Sequence, residues 1–253
     1  MKWTHRCSLD WMRTRQKVLT ASDVKELLPY TSTGKPRKVG EDKYLKVLAN
    51  KMRHLTEDDC ISVGAAARGH VLEKYAIMCY NQHFAKGIFG EELYHWDDLV
   101  VGEPGGLLGF SPDAMNHAPT NDHRKDQVNF TNTRYDTIGE IKSYGAERHL
   151  LCGNTKPEDL EERWQVATAM AAVEWINNAV IIFFNPSMEK QMFVAAYEQH
   201  DLIDEIGVVR QVRDNWKKFL SGYGSDILPG FNGDPCKEQE IIEIIEKEQG
   251  LNP

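Results

Sequence analysis

Cysteine is scarce and carries no metal or disulfide spacing. Cys7, Cys60, Cys79, Cys152 and Cys236 are scattered and odd in number, and no Cys-x-x-Cys occurs. That argues against a zinc site and against a disulfide framework, and reads as reduced thiols in a cytosolic protein. Long apolar runs are also missing: none approaches the roughly 20 residues needed to span a bilayer. The opening Met1-Lys2-Trp3-Thr4-His5-Arg6 is basic but leads into no apolar stretch, so no signal peptide is expected. Positive charge is in deficit, with 30 Lys and Arg against 38 Asp and Glu and a formal charge of −8. This speaks against a protein that coats nucleic acid indiscriminately, but leaves room for one that threads a strand past a local basic patch. No internal repeat and no splitting linker is visible, so the 253 residues read as one large domain.

What the chain does have is a pair of short motifs in order. Ile138-Gly139-Glu140-Ile141-Lys142-Ser143-Tyr144 alternates apolar and polar residues, the pattern of a strand with one face turned to a site. Residues two apart on a strand share a face, so Glu140 and Lys142 project together. Ahead of it, Leu107-Leu108-Gly109-Phe110 reads as a neighbouring strand that delivers Ser111-Pro112-Asp113. Two such strands would bring Asp113 beside Glu140, giving two carboxylates and an ammonium at one point. Two acidic oxygens with a backbone carbonyl and waters make a hard, oxygen-rich seat for magnesium. Such an ion polarises a phosphoryl oxygen and acidifies a bound water. The same Glu-x-Lys pair on an edge strand is also what a solvated surface pair looks like, so the motif alone does not decide.

Taken in order, residues 1–20 hold the densest positive charge, with Trp3 and Trp11 interleaved among Lys2, Arg6, Arg13, Arg15 and Lys17. A short helix follows over 20–29, with Ser22 expected as its N-cap and Pro29 as its stop. Helices are expected over 42–55 and 62–84, the latter with an apolar stripe of Ala66, Val71, Leu72, Tyr75, Met78 and Cys79. Glu73 flanks that stripe. Strands are expected over 92–101 and 106–115 with a turn at 103–106, and a polar loop over 116–136. His117 and His123 in that loop read as solvated. After the Glu-x-Lys strand, 145–156 reads as a connection and 157–175 as one strong helix carrying Gln165. Asn178–Phe184 reads as a buried interior strand and 191–198 as its hairpin partner. Residues 201–221 form an amphipathic helix through Ile203, Ile206, Val209, Val212 and Trp216. A Pro/Gly loop spans 226–234, and the tail contains a short acidic helix over 241–248.

With these pieces placed, the chain resembles the phage lambda exonuclease or YqaJ-like viral recombinase branch of the PD-(D/E)xK nucleases. The matching segments are Arg15 with Thr20-Ala21-Ser22-Asp23-Val24, Arg68-Gly69-His70-Val71-Leu72-Glu73, Gly109 to Asp113, Gly139 to Lys142, and Trp164-Gln165. The resemblance implies a restriction-endonuclease-like mixed α/β sheet core flanked by helices. It divides the chain into an N-terminal phosphate-binding part over about 1–60, a catalytic core over about 61–200 and C-terminal helices over about 201–253. It assigns Asp113, Glu140 and the Ile141 carbonyl to magnesium, with manganese able to substitute. Lys142 assists the water, Glu73 sits at the site on a second metal, Gln165 positions the nucleophile, and Arg15 and Ser22 grip the 5′-phosphate of DNA. The implied activity is a magnesium-dependent 5′-to-3′ exonuclease on linear double-stranded DNA that leaves 3′ single-stranded overhangs for recombination. Implied partners are double-stranded DNA with a free end, further copies of the chain in a ring trimer or tetramer, and a single-strand annealing protein. The implied setting is cytoplasmic.

Two other readings stay open on sequence alone. One keeps the fold as a restriction-type endonuclease or a Cas4-like end-processing nuclease. Only Cys236 lies near the C-terminus, where Cas4-like enzymes carry three of their four cluster cysteines. The other is a non-catalytic DNA-end-binding module, for which the trio Asp113, Glu140 and Lys142 would serve no purpose.

Overall fold

The computed structural model describes residues 8–31, 35–56, 65–96, 100–101, 107–116 and 136–222. The expected turn at 103–106, most of the polar loop (117–135), the 226–234 loop and the 241–248 helix lie outside them. Among the described residues no helix is long and apolar enough to cross a membrane.

The centre is a five-stranded mixed sheet in the order β1-β4-β5-β6-β7. Its strands are β1 Tyr94–His95, β4 Ala114–Met115, β5 Thr137–Lys142, β6 Asn178–Phe184 and β7 Met192–Glu198. β5 and β6 run parallel and every other pair is antiparallel. The apolar run of β6 is buried on both faces, because a hydrophobic core lies on each side of the sheet. β7 closes the predicted hairpin, Asn178 opposite Glu198 through Phe184 opposite Met192.

Seven α-helices lie among the described residues: α1 Leu9–Gln16, α2 Ala21–Leu27, α3 Glu41–Met52, α4 Ala65–His83, α5 Ala146–Asn154, α6 Arg163–Ala172 and α7 Ile203–Gly222. α6 covers one face of the sheet, its Val166 and Met170 sharing a core with Ile138, Ile181 and Phe183, and α7 packs on α6 and adds Val209 and Trp216 to that core. α4 covers the other, burying Ala76, Ile77 and Tyr80 against Ile141, Val180 and Ile182.

Several expectations are corrected. Each long strand expected over 92–101 and 106–115 is broken in two. Val100–Val101 (β2) and Gly109–Phe110 (β3) form a separate two-stranded ribbon, while β1 and β4 join the main sheet. The second break falls at Ser111-Pro112-Asp113, where proline has no N–H to give a ladder. The strand beside Glu140 is therefore β4, which follows Asp113, and not 107–110, which precedes it. The N-cap of α2 is Thr20 rather than Ser22: the Asp23 carboxylate reaches back to the Thr20 N–H at 2.8 Å and takes its hydroxyl at 2.7 Å. The helix expected over 157–175 is a 3-10 turn at Pro157–Asp159 followed by α6, and the connection over 145–156 contains α5. In α7 the buried stripe begins at Ile206, Ile203 being exposed.

The last correction concerns α4. Val71, Tyr75 and Met78 of the expected stripe are 64%, 55% and 57% exposed. The buried line is Glu73, Ala76, Ile77 and Tyr80, also at helical spacing. A carboxylate at its head hid this line from an apolar-stripe reading. Glu73 tolerates burial because two imidazoles meet it, as described below.

Candidate active site

β5 places the acidic end of the site. Glu140 and Lys142 leave the same strand face, and the Lys142 ammonium donates to the Glu140 carboxylate at 2.6 Å. Asp113 is 4% exposed and stands where β4 begins. Its N–H donates to the Gly139 carbonyl at 3.1 Å, and its carboxylate accepts the Ile141 N–H at 2.7 Å. The aspartate is thus fixed by the backbone of the strand that carries the glutamate. Gly139 permits the approach: a Cβ there would stand 2.9 Å from Leu93 Cδ1 and 3.1 Å from Ala114 Cβ. Burial alone would pull the Lys142 pKa down, but Glu140 and Asp113 outweigh it and hold the group above its ordinary value. Lys142 is therefore a resident ammonium.

The opposite end comes from the N-terminal helices. The Leu19 N–H donates to the Leu107 carbonyl at 2.6 Å, and the Gly109 N–H returns to Leu19 at 2.9 Å. This short parallel bridge holds the α1–α2 junction against the ribbon that leads to Asp113. Arg15 lies over the Trp11 ring at 4.6 Å from its centroid. The Ser22 hydroxyl is 3.1 Å from that of Thr20.

Between the two ends runs a cleft of about 320 Å³. Arg15, Ser22, Asp113, Glu140 and Gln165, five of the seven side chains singled out in the sequence, line it together. Lys142 joins through its bond to Glu140. Glu73 does not line the cleft. It is 6% exposed on α4, against the sheet face opposite α6. His70 Nδ1 stands 3.2 Å from one of its carboxylate oxygens and His95 Nε2 3.3 Å from the other. It is the His70 ring, from the same motif, that reaches the cleft.

Among the described residues no group of three or more His, Cys, Asp or Glu is arranged so that it could hold a metal ion. Two carboxylates and a carbonyl nevertheless suit a hard cation. Magnesium keeps several waters and commonly takes only one or two carboxylates beside substrate phosphates. The donor set fits magnesium or manganese, and without a cysteine it does not suit a thiophilic metal.

Sequence reading missed two further groups. Lys51 of α3 is 7% exposed, bonded to Asp23 at 2.5 Å and to the Arg15 carbonyl at 3.0 Å. Glu162, before α6, accepts the Tyr144 hydroxyl at 2.7 Å and Arg148 at 2.8 Å. Burial raises the Glu162 pKa, but these two hydrogen bonds, together with a backbone hydrogen bond and the Arg148 charge, offset it and leave the carboxyl below its ordinary value. Tyr144 continues the Glu140–Lys142 face of β5 and was legible as such. Glu162 sits in an acidic run with nothing to distinguish it.

A mixed sheet with Asp113 entering one strand and Glu-x-Lys on its antiparallel neighbour is the restriction-endonuclease-like PD-(D/E)xK architecture. No family model and no curated protein matches the chain. Two solved structures share its fold. One is an alkaline exonuclease, LHK-Exo from Laribacter hongkongensis, with a TM-score of 0.54 at 18% identity. The other is LHK-Exo in complex with dAMP, with a TM-score of 0.56 at 17% identity. In each case the match covers 96% of this chain and 98% of the other.

Proposed function

We propose that the chain is a nuclease that removes nucleotides from the 5′ ends of linear double-stranded DNA and leaves 3′ single strands. The observation that carries this reading is the convergence of Arg15, Ser22, Asp113, Glu140 and Gln165 from separate elements onto one cleft. The fold shared with an alkaline exonuclease supports it. Asp113, Glu140 and the Ile141 carbonyl would hold magnesium, or manganese in its place, which supplies a polarised phosphate and an acidified water. Lys142, kept protonated by its carboxylate neighbours, acts as a cation that orients the water and balances charge developing on the phosphate. It is not a resting base. Gln165, an uncharged donor and acceptor on the first turn of α6, positions the attacking group. Arg15 and Ser22 hold the terminal phosphate at the other end, so the cleft accommodates the strand between its end and the scissile bond. Glu73 acts through His70, which it orients, rather than from within the cleft. A ring of copies enclosing the duplex and a single-strand annealing partner complete the proposal.

The test is digestion of end-labelled linear duplex and covalently closed circular DNA with magnesium. The expected outcome is release of 5′ nucleotides from the linear form and none from the circle, with Lys142→Ala binding DNA but not cutting it. Cutting of closed circles would replace this reading with an endonuclease. No cleavage of any DNA with magnesium or manganese would leave a binding module.

A further inference from the structure

The main sheet ends in two unlike edges. One is β1, which holds only Tyr94–His95. The other is β7, where Met192–Glu198 pairs with β6 without a break in register, and among the described residues no strand lies beyond it. An edge strand presents unpaired N–H and C=O groups and is a template for a further strand. Proteins blunt such edges with short strands, prolines, bulges or charges along them. β1 is short. β7 has none of these devices: Met-Phe-Val-Ala-Ala-Tyr-Glu holds no proline, and its one charge is Glu198 at the end.

The bonds that flank β7 show which of its groups face outward. The Asn185 N–H donates to the Gln191 carbonyl at 2.8 Å, and the Gln199 N–H donates to the Asn177 carbonyl at 2.7 Å. Antiparallel partners alternate between bonded and non-bonded positions. Phe193, Ala195 and Tyr197 therefore bond to β6, and Met192, Val194 and Ala196 turn their N–H and C=O groups to the open side. Both ends of that open window are closed by the chain itself. At one end His149 of α5 donates from Nε2 to the Lys190 carbonyl at 2.8 Å. At the other the Asp201 carboxylate accepts the Glu198 N–H at 2.8 Å.

We infer that β7 is an interface on which a second copy of the chain lays its own β7 antiparallel, joining two sheets into one. Self-complementarity selects this occupant. Pairing Val194 with the partner's Val194 sets Met192 against the partner's Ala196, so each outward group in the window meets a mate. Carried two residues further, the same register sets Lys190 level with the partner's Glu198, and Glu198 level with the partner's Lys190. Opposite charges facing across strands stabilise a pairing. A slip of two residues in either direction sets an outward group against the closed Lys190 carbonyl or the closed Glu198 N–H, and separates the charges. Such an isologous contact closes at two copies. β6 stands between β7 and the strand that carries Glu140 and Lys142. The cleft is therefore left open, and the inference does not depend on the nuclease reading. Where copies also form rings, the same contact joins two rings.

The test is the particle mass of the full chain, read by sedimentation or light scattering without DNA. The native particle should hold an even number of copies. Val194→Pro removes an outward N–H without touching the ladder to β6 and should halve the mass, turning a pair into single copies or two joined rings into one. Lys190→Glu sets carboxylates opposite one another and should weaken the pairing by roughly 10-fold. Adding Glu198→Lys to it should restore the pairing. Melting temperatures show which variants are folded, and should Val194→Pro fail to fold, the charge swap decides. A native particle with an odd number of copies, one included, overturns the inference. So does a mass unchanged in folded Val194→Pro, or a double variant that pairs no better than Lys190→Glu alone. Because no cleavage is read, neither result bears on the nuclease reading.

Discussion

The two ends of the cleft are built in different ways. At the carboxylate end, Asp113, Glu140 and Lys142 are fixed by two neighbouring strands whose register sets every distance. At the other end, Arg15, Ser22 and Lys51 come from three short helices tied together by side-chain bonds that span 28 and 36 positions of the chain. A sheet end derives its precision from backbone hydrogen bonds that any sequence makes. A helical end derives it from a few particular polar residues. The first tolerates substitution around it and fails when its own side chains change. The second fails when a supporting residue changes.

The sharpest way to test that contrast is to remove one group from each end. Asp113→Asn keeps an acceptor for the Ile141 N–H but loses the charge. It should lower cleavage by about 100- to 1,000-fold, the range for loss of one preorganised electrostatic group, and equally on phosphorylated and hydroxyl ends. Arg15→Ala should slow only phosphorylated ends, by roughly 10-fold or more. Rate measurements on the two substrates decide the matter. If Arg15→Ala slows both ends alike, the two ends of the cleft are one site and the contrast disappears.

A smaller effect is expected from the packing beneath the carboxylates. Gly139→Val would place methyl groups where Leu93 and Ala114 already stand. Overpacking of this kind costs about 1–3 kcal/mol, seen as a melting temperature lower by several degrees. The strain falls on the β4–β5 pairing, so activity should drop further than stability alone explains. A variant that melts early yet cuts normally would show that the Asp113–Ile141 bond does not depend on this close contact.

The unequal legibility of the two ends follows from the same physics. The alternation of 138–144 and the apolar run of 178–184 are local signals, and both strands stand where they were expected. Pairing Asp113 with Glu140 needed only strand order. Much of the rest depended on contacts that no local window holds. The ribbon 107–110 leaves the main sheet because Leu19 and β2 compete for it. α5 was missed because it buries little, with only His149 and Cys152 on its inner side. The buried line of α4 was misread because Glu73 heads it, and the two histidines that make its burial tolerable come from its own helix and from β1. Lys51 gave no sign at all: a lysine near the end of an amphipathic helix reads as solvated until α1 and α2 fold over it.

The smallest effect lies at the junction of the two construction styles. Glu162 stands before α6, whose first turn carries Gln165, and accepts from Tyr144 beyond the end of β5. It therefore ties the sheet-built end to the helix that helps line the cleft. Its ordinary pKa is 4.5 and its folded value is lower. The stabilisation from its charge is present above pH 4.5 and is lost as pH falls through the folded value. Arg148 is half-exposed, at 51%, so its share of the pair is screened. Glu162→Gln still accepts from Tyr144 and should cost about 1 kcal/mol at neutral pH. The gap to the native chain should close in acid, once the native carboxylate is itself protonated. Thermal melts from pH 7 down to pH 3 measure this directly. A gap that stays constant across that range would mean that Glu162 acts through shape alone. The link between β5 and α6 would then be a matter of packing rather than charge.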